Sequence, residues 1–307
     1  MVNLNLKGLH IMTYPEFREL VFENVLELIP KGVSIRLLDV EKLNNALRYG
    51  IVFTKEEMPF SPTIYLEPFY SAFLRGEDIH ILAKEIVRCY QEETLDIPLD
   101  ALSFAKFNEA KHFVFAKLIH FNENIKLLAE VPHKRFLDFA IIPYLEVDCQ
   151  KVNKGTVILK RILVENWEIS EEELLLLALQ NTKDNKRVFF RTIAEVLESK
   201  FAEDEMAIFN ELSEKMYVLT NEEKYFGAVC VFYPEVLRMI CDMFKESFYL
   251  LPASVHEWIV LPASSVIDEG YLRYVVRKVN ESELLPEEVL SSNVYLYDSQ
   301  TETIRIT

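Results

Sequence analysis

Residues 216–262 read MYVLTNEEKYFGAVCVFYPEVLRMICDMFKESFYLLPASVHEWIVLP, and they hold the clearest run of predicted strands, turns and helices in the chain. Segments rich in β-branched and aromatic residues predict strands, and apolar residues at helical spacing behind Pro234 predict an amphipathic helix. The predicted strands are residues 217–220, 225–233, 248–251 and 255–261. This stretch therefore predicts a mixture of strands and helices.

The remainder of the chain continues the same pattern. Thr13 and Glu16 have the spacing of a capping box, at the start of a helix predicted to end near residue 29. The extended segments 34–40 and 46–54 predict a hairpin around Leu43-Asn44-Asn45, because asparagine tolerates a positive φ. Further helices are predicted behind Asp78 and Ser170, further strands at 113–121 and 136–147, and a final hairpin at 294–307.

These elements predict an α+β fold with mixed, largely antiparallel sheets and helices packed on them. A chain of 307 residues can form one large domain or two ordinary ones. The polar run Asn181–Lys186 is the best candidate for a boundary. We therefore expect two lobes, residues 1–185 and residues 186–307.

The charge of the chain restricts its partners. There are 49 acidic and 33 basic residues, which give a formal net charge of −16. Such a charge disfavours binding to a phosphate backbone unless a local basic patch overrides it, and the short basic runs at 133–135 and 183–191 are more typical of loops. We expect no nucleic-acid partner.

The sequence also predicts a cytoplasmic location. The first 17 residues lack the basic, apolar and small-residue regions of a secretory signal. The longest aliphatic run, Leu174–Leu179, is far shorter than the roughly 20 residues that cross a bilayer, so we expect no membrane association. Four separated cysteines without a C-x-x-C pair indicate reduced thiols.

One compact polar cluster lies within the apolar stretch 216–262. It contains Ser254, His256 and Glu257, and Asn221 in the preceding turn completes the candidate binding site. If residue 254 begins a strand, then Ser254, His256 and Trp258 share one face. Asp138, among Phe136, Leu137 and Phe139, is the other unusual charge, and we expect it to face solvent at a strand edge.

Several chemistries can be compared with this cluster. A zincin motif is absent, because position 260 is valine and the segment predicts a strand. A Ser254 nucleophile would have no G-x-S-x-G elbow and no identifiable acid behind the histidine. A metal site formed by His256, Glu257 and a distant acid stays open. There is no glycine-rich loop, so the sequence predicts neither a nucleotide site nor any other cofactor site.

Four segments carry a resemblance to a known family. They are SPTIYLEPFY at 61–70, YVLTN at 217–221, GA at 227–228 and LPASVHE at 251–257. From Tyr14 to Tyr297 the chain resembles a family of uncharacterised proteins, a domain of unknown function common in Gram-positive gut bacteria. The family has no established activity, so the resemblance implies no catalytic residue. Ala253 stands where relatives have a second serine, which counts against chemistry that needs two hydroxyls.

We therefore expect a non-enzymatic cytoplasmic binding or regulatory protein whose partner is an unknown protein or small molecule. The alternative is a hydrolase or metal-dependent enzyme that uses His256 and Glu257. Fold class alone does not separate the two.

Overall fold

The computed structural model describes residues 12–55, 62–94, 106–147, 155–198, 215–266 and 268–307. Their contacts divide the chain into two compact units. The first unit comprises Met1–Lys42, Leu47–Leu102 and Cys149–Asn153. The second comprises Leu43–Ala46, Ser103–Asp148 and Lys154–Thr307.

The first unit packs helices on a three-stranded antiparallel sheet. Its elements are α1 (Tyr14–Leu26), β1 (Val33–Glu41), β2 (Leu47–Lys55), β3 (Thr63–Tyr65), α2 (Glu67–Leu74) and α3 (Ile79–Thr94), and the strand order is β1-β2-β3. The predicted hairpin is confirmed, since Val33 pairs with Lys55 and Glu41 with Leu47. Asn44 and Asn45 have φ angles of 58° and 54°, as this turn requires.

The first part of the second unit is a four-stranded antiparallel sheet with short helices and one long helix. Its strands are β4 (Val114–His120), β5 (Lys134–Phe136), β6 (Phe139–Val147) and β7 (Gly155–Ile158), and β6 pairs with the other three. Its helices are α4 (Phe107–Ala110), α5 (Ile125–Leu128), α6 (Arg161–Asn166) and α7 (Glu171–Asn185). Ser170 caps α7 as predicted, because its hydroxyl accepts a hydrogen bond from the Glu173 N–H at 3.1 Å.

A six-stranded antiparallel sheet forms the rest of the second unit, in the order β13-β12-β10-β11-β9-β8. Its strands are β8 (Val188–Thr192), β9 (Tyr217–Asn221), β10 (Phe248–Ser254), β11 (Glu257–Pro262), β12 (Tyr295–Asp298) and β13 (Thr303–Ile306). Its helices are α8 (Ile193–Glu198), α9 (Pro234–Phe244) and α10 (Glu269–Ser282). Trp258, Phe248, Tyr144 and Leu118 belong to one continuous buried core to which both sheets of this unit contribute.

The α+β class and the largely antiparallel sheets are confirmed. The predicted strands 225–233 and 136–147 differ from the structure. Residues 227–232 form a 3-10 helix instead of a strand, because Lys224 and Phe226 take left-handed conformations that interrupt an extended chain. Residues 134–147 form two strands around a tight turn at Leu137 and Asp138, where Leu137 has a φ of 53°.

The compact units also divide the chain elsewhere than at the predicted lobe boundary between residues 185 and 186. Asn181 donates hydrogen bonds to the carbonyls of Lys111 and Val114, at 2.7 and 2.9 Å. The Thr182 hydroxyl accepts one from the Ala116 N–H at 2.7 Å. The polar run 181–186 thus joins α7 to β4 within the second unit.

Cys89, Cys230 and Cys241 are free thiols, and Cys149 lies outside the described residues. None of the helices in the described part of the chain has the length and apolar composition of a membrane span.

Candidate functional site

The predicted cluster lies at the turn between β10 and β11. Ser254 pairs with Glu257, so the chain reverses at Val255 and His256. Ser254 therefore ends a strand instead of beginning one, and the prediction that Ser254, His256 and Trp258 alternate along one strand face is wrong. The sequence pattern did not predict this two-residue turn, because valine at position 255 favours extended structure.

The Ser254 hydroxyl is occupied by the turn itself. Its oxygen accepts a hydrogen bond from the backbone N–H of His256 at 3.0 Å, and the residue is buried. A serine that accepts from the backbone in this way stabilises a local turn. The contact engages the main chain of His256 and not its imidazole, so this geometry is not that of a nucleophile activated by the ring.

His256 is held in one tautomer. Its Nδ1 atom accepts a hydrogen bond from the backbone N–H of Phe226 at 3.0 Å, so a neutral ring carries its proton on Nε2. The rings of Tyr225 and Phe226 stack on the imidazole with centroids 5.3 Å away. Burial lowers the pKa of His256, and Lys117 acts in the same direction whereas Glu288 opposes it.

The Nε2 atom of His256 faces the carboxylate of Glu288, with 3.9 Å between Nε2 and Oε1. The side chains are 22% and 34% exposed, so both reach solvent. The acid opposite the imidazole is therefore Glu288, and not the adjacent Glu257 of the predicted cluster. No local sequence signal identifies Glu288, because it is brought to the turn by a hydrogen bond from the Val255 N–H to its carbonyl, at 2.9 Å.

Asn221 fixes a loop next to the histidine. Its Nδ2 donates to the carbonyl of Tyr225 at 2.8 Å, and its Oδ1 accepts from the Tyr225 N–H at 3.2 Å. Within this loop Lys224 and Phe226 have φ angles of 53° and 51°. Left-handed conformations cost non-glycine residues about 1 kcal/mol each, so the contacts around this loop must offset that strain.

Gly227 lies where three backbone segments approach closely. A Cβ at this position would lie 2.2 Å from the Thr220 Oγ1, 2.5 Å from the Asn221 nitrogen and 2.8 Å from the His256 oxygen. The Thr220 hydroxyl donates to that His256 oxygen at 2.7 Å. Only glycine fits here, because the backbone atoms cannot retreat.

The three segments YVLTN, GA and LPASVHE thus meet in space. Trp258 adds a further link, because its indole N–H donates to the Ala228 carbonyl at 2.7 Å. We call residues 220–221, 225–228 and 254–258 the signature junction. It presents one edge of His256 outward, and its Thr220, Asn221, Ser254 and Trp258 side chains make internal hydrogen bonds.

Two buried lysines lie beside this junction. The Lys117 ammonium lies 4.3 Å from the ring centroid of Phe226, and only 3% of the residue is exposed. Lys186 contacts the carboxylates of Glu146 and Glu223 at 2.8 and 2.7 Å. Buried charges of this kind are costly unless paired, and these pairs and ring contacts supply the compensation.

The prediction that Asp138 faces solvent is wrong. This residue is buried instead of solvent-facing, and its carboxylate accepts hydrogen bonds from Ser291 at 2.8 Å, Asn293 at 2.9 Å and Tyr295 at 2.7 Å. The His120 Nε2 lies 3.8 Å away. The sequence signal for this site was a charged residue among aromatic residues, because a buried charge is stable only when it is paired. The partners could not be identified from sequence, because they are more than 150 positions away in the chain.

Within the described ranges, no group of three histidine, cysteine, aspartate or glutamate side chains is arranged to hold a metal ion. Residues 14–299 match the model of a family described as "Family of unknown function (DUF5688)". No curated protein and no solved structure matches the chain.

Proposed function

The chain belongs to the DUF5688 family, whose function is unknown, and we propose that it is a non-enzymatic binding protein. Its ligand is a small, uncharged molecule that bears a hydroxyl group. The binding site is the outward edge of the signature junction, where the His256 Nε2–H faces the Glu288 carboxylate.

The observation that supports this proposal is the spacing of these two groups. Nε2 and Oε1 are 3.9 Å apart, which is too long for a direct hydrogen bond. An oxygen between them, at about 2.8 Å from each, accepts from Nε2–H and donates to the carboxylate. A hydroxyl does both through one atom, whereas an ammonium group has no acceptor and a carboxylate has no donor.

The imidazole and the backbone of Glu288 are held in place by contacts within the protein. The Phe226 N–H and two stacked rings hold the imidazole, and the Val255 N–H holds the backbone of Glu288. A site with fixed groups loses little side-chain entropy on binding. Preorganisation of this type favours recognition of small ligands.

The alternative enzyme, a hydrolase or metal-dependent enzyme using His256 and Glu257, finds less support in this geometry. The Ser254 oxygen accepts from the His256 backbone N–H, and the carboxylate opposite the ring comes from Glu288.

The experiment uses two substitutions that separate the ring nitrogens. The amide of His256→Asn lies near the position of Nδ1 and retains an acceptor for Phe226, whereas that of His256→Gln lies near Nε2 and retains a donor for the ligand. Ligand-observed NMR would screen sugars, sugar alcohols and nucleosides against wild type, both variants and Glu288→Gln. Deoxy or methyl-ether analogues of each hit would test the hydroxyl.

We expect hydroxylated compounds to bind wild type, and H256N to fold normally without binding them. E288Q should weaken binding about tenfold or more, because hydrogen bonds to charged groups contribute roughly 1.5–3 kcal/mol. Equal binding to H256N, or equal binding of the analogue without the hydroxyl, would refute the proposal. A screen without hits at millimolar concentration would also refute it, since an ordered water would then suffice to bridge the two groups.

We further place the protein in the bacterial cytoplasm, a proposal supported by the free thiols among the described residues and by the resemblance to proteins of Gram-positive bacteria. The net charge of −16 supports a ligand other than nucleic acid.

A further inference from the structure

The segment that carries Glu288 is held from three directions. A 3-10 helix, Pro286–Glu288, begins it, and the Val255 N–H contacts the Glu288 carbonyl at 2.9 Å. Asp138 holds its far end through Ser291 and Asn293. The third contact comes from Asn44, a residue more than 240 positions earlier in the chain.

The Asn44 side chain contacts both flanks of Glu288. Its Nδ2 donates to the carbonyl of Pro286 at 2.8 Å and to that of Val289 at 2.7 Å. One amide group thus ties together the residues two before and one after Glu288. These two hydrogen bonds restrict the backbone from which the carboxylate projects.

Asn44 is itself fixed by Asn124. The Asn44 backbone N–H donates to the Asn124 Oδ1 at 2.8 Å, and the Asn124 Nδ2 donates to the Asn44 Oδ1 at 2.7 Å. Because Oδ1 accepts from Asn124, Nδ2 must face the two carbonyls, and the amide orientation is determined. The Asn44 backbone has φ 58° and ψ 31°, a left-handed conformation that asparagine and glycine tolerate best.

We propose that Asn44 is a positioning residue of the ligand site, which sets the distance between the Glu288 carboxylate and the His256 imidazole. This inference rests on the proposed function for its biological meaning, but its test needs no ligand. Asn44, Asn124, Glu288 and His256 all belong to the second compact unit.

The pKa of His256 reports the distance of the Glu288 carboxylate from the imidazole. The Glu288 carboxylate raises the pKa of His256 against the larger effect of burial. A Glu288 that moves away from the ring therefore lowers this pKa further. An NMR titration of the His256 ring protons, assigned by their absence in H256N, reports the position of Glu288 in the intact protein.

Asn45 offers a matched control. It follows Asn44 in the same turn, has a φ of 54°, and donates from Nδ2 to the Glu123 carbonyl at 2.7 Å, whereas the hydrogen bonds to the Pro286 and Val289 carbonyls come from Asn44. Glycine at either position keeps the left-handed backbone and removes only the side chain. Only Asn44→Gly therefore removes the hydrogen bonds to the Pro286 and Val289 carbonyls.

We expect N44G to lower the pKa of His256 by an amount comparable to that in E288Q, and N45G to leave it unchanged. In an E288Q background, N44G should have no further effect, because the charge it positions is gone. An unchanged pKa in N44G, equal shifts in N44G and N45G, or a shift that persists beside E288Q would each overturn the proposal.

Where the screen yields a ligand, N44G should weaken its binding and N45G should not. An unchanged pKa of His256 in N44G contradicts the positioning role alone. Absence of any ligand contradicts the proposed function alone. The two proposals therefore fail in distinguishable ways.

Discussion

Replacement of Asp138 by alanine should destabilise the second unit strongly. The carboxylate accepts hydrogen bonds from the hydroxyls of Ser291 and Tyr295 and from the Asn293 amide, at 2.7–2.9 Å. Ser291 and Tyr295 are 2% and 0% exposed, so water cannot replace the lost acceptor without a change in packing.

The expected cost follows from these contacts. Each buried donor without an acceptor costs about 1–3 kcal/mol. Asp138→Ala removes the acceptor of two buried donors, the hydroxyls of Ser291 and Tyr295. The Tyr295 hydroxyl can still donate to Ser291 at 2.7 Å, and removal of the buried carboxylate relieves its own desolvation. These two effects reduce the total, and we expect a loss of about 3 kcal/mol in the free energy of unfolding.

Urea unfolding followed by tryptophan fluorescence measures this loss. Both tryptophans, Trp167 and Trp258, belong to the second unit, and Trp258 contacts Tyr295 edge to face at 5.6 Å. The double variant Asp138→Ala, Tyr295→Phe removes donor and acceptor together. It should be about 1–2 kcal/mol more stable than the sum of the single effects predicts.

The exposed Asp242 provides the control, and Asp242→Ala should change stability by less than about 0.5 kcal/mol. A cost below about 1 kcal/mol for Asp138→Ala, or strict additivity in the double variant, would show that the Asp138 network does not stabilise the fold as its geometry implies.

Two further predictions concern the signature junction. Burial lowers the pKa of His256 in the folded protein, whereas the unfolded chain keeps the ordinary value of 6.5. The unfolded chain therefore binds the proton more tightly, and the free energy of unfolding should fall as the pH decreases through 6.5. Urea midpoints at about pH 8 and 5 should differ less for His256→Asn than for wild type, and parallel losses would contradict this. Gly227→Ala should cost about 3 kcal/mol or prevent folding, because the new Cβ meets backbone atoms at 2.5 and 2.8 Å, while the control Gly270→Ala, at a helix start, should stay within about 1 kcal/mol. Equal stability of the two glycine variants in urea unfolding would refute the close-packing explanation.

Local elements were predictable wherever neighbouring residues supply the main constraint. Asn44 and Asn45 predicted the hairpin turn between β1 and β2, and Ser170 predicted the start of α7. The apolar run 227–232 was not predictable in the same way, because apolar residues fit a buried 3-10 helix as well as a strand. What decides between them is the close approach of Gly227 to Thr220 and His256.

The candidate site was predictable in part. The isolated polar cluster in an apolar stretch directed attention to His256, and the structure gives that residue one tautomer and an outward nitrogen. Ser254 and Asn221 came from the same cluster but stabilise turns. Glu288 and Asn44 were missed because residues in contact through the fold need have no relation in sequence spacing.

The sequence by itself determined the α+β class, the hairpin turns, several helix starts and the location of the unusual histidine, because propensity, capping and hydrophobic period act over a few residues. Only the tertiary structure decided which carboxylate faces that histidine, that Asp138 is buried, and that the polar run 181–186 joins elements of one unit. These features depend on contacts between distant segments, whose energies arise only when the whole core forms.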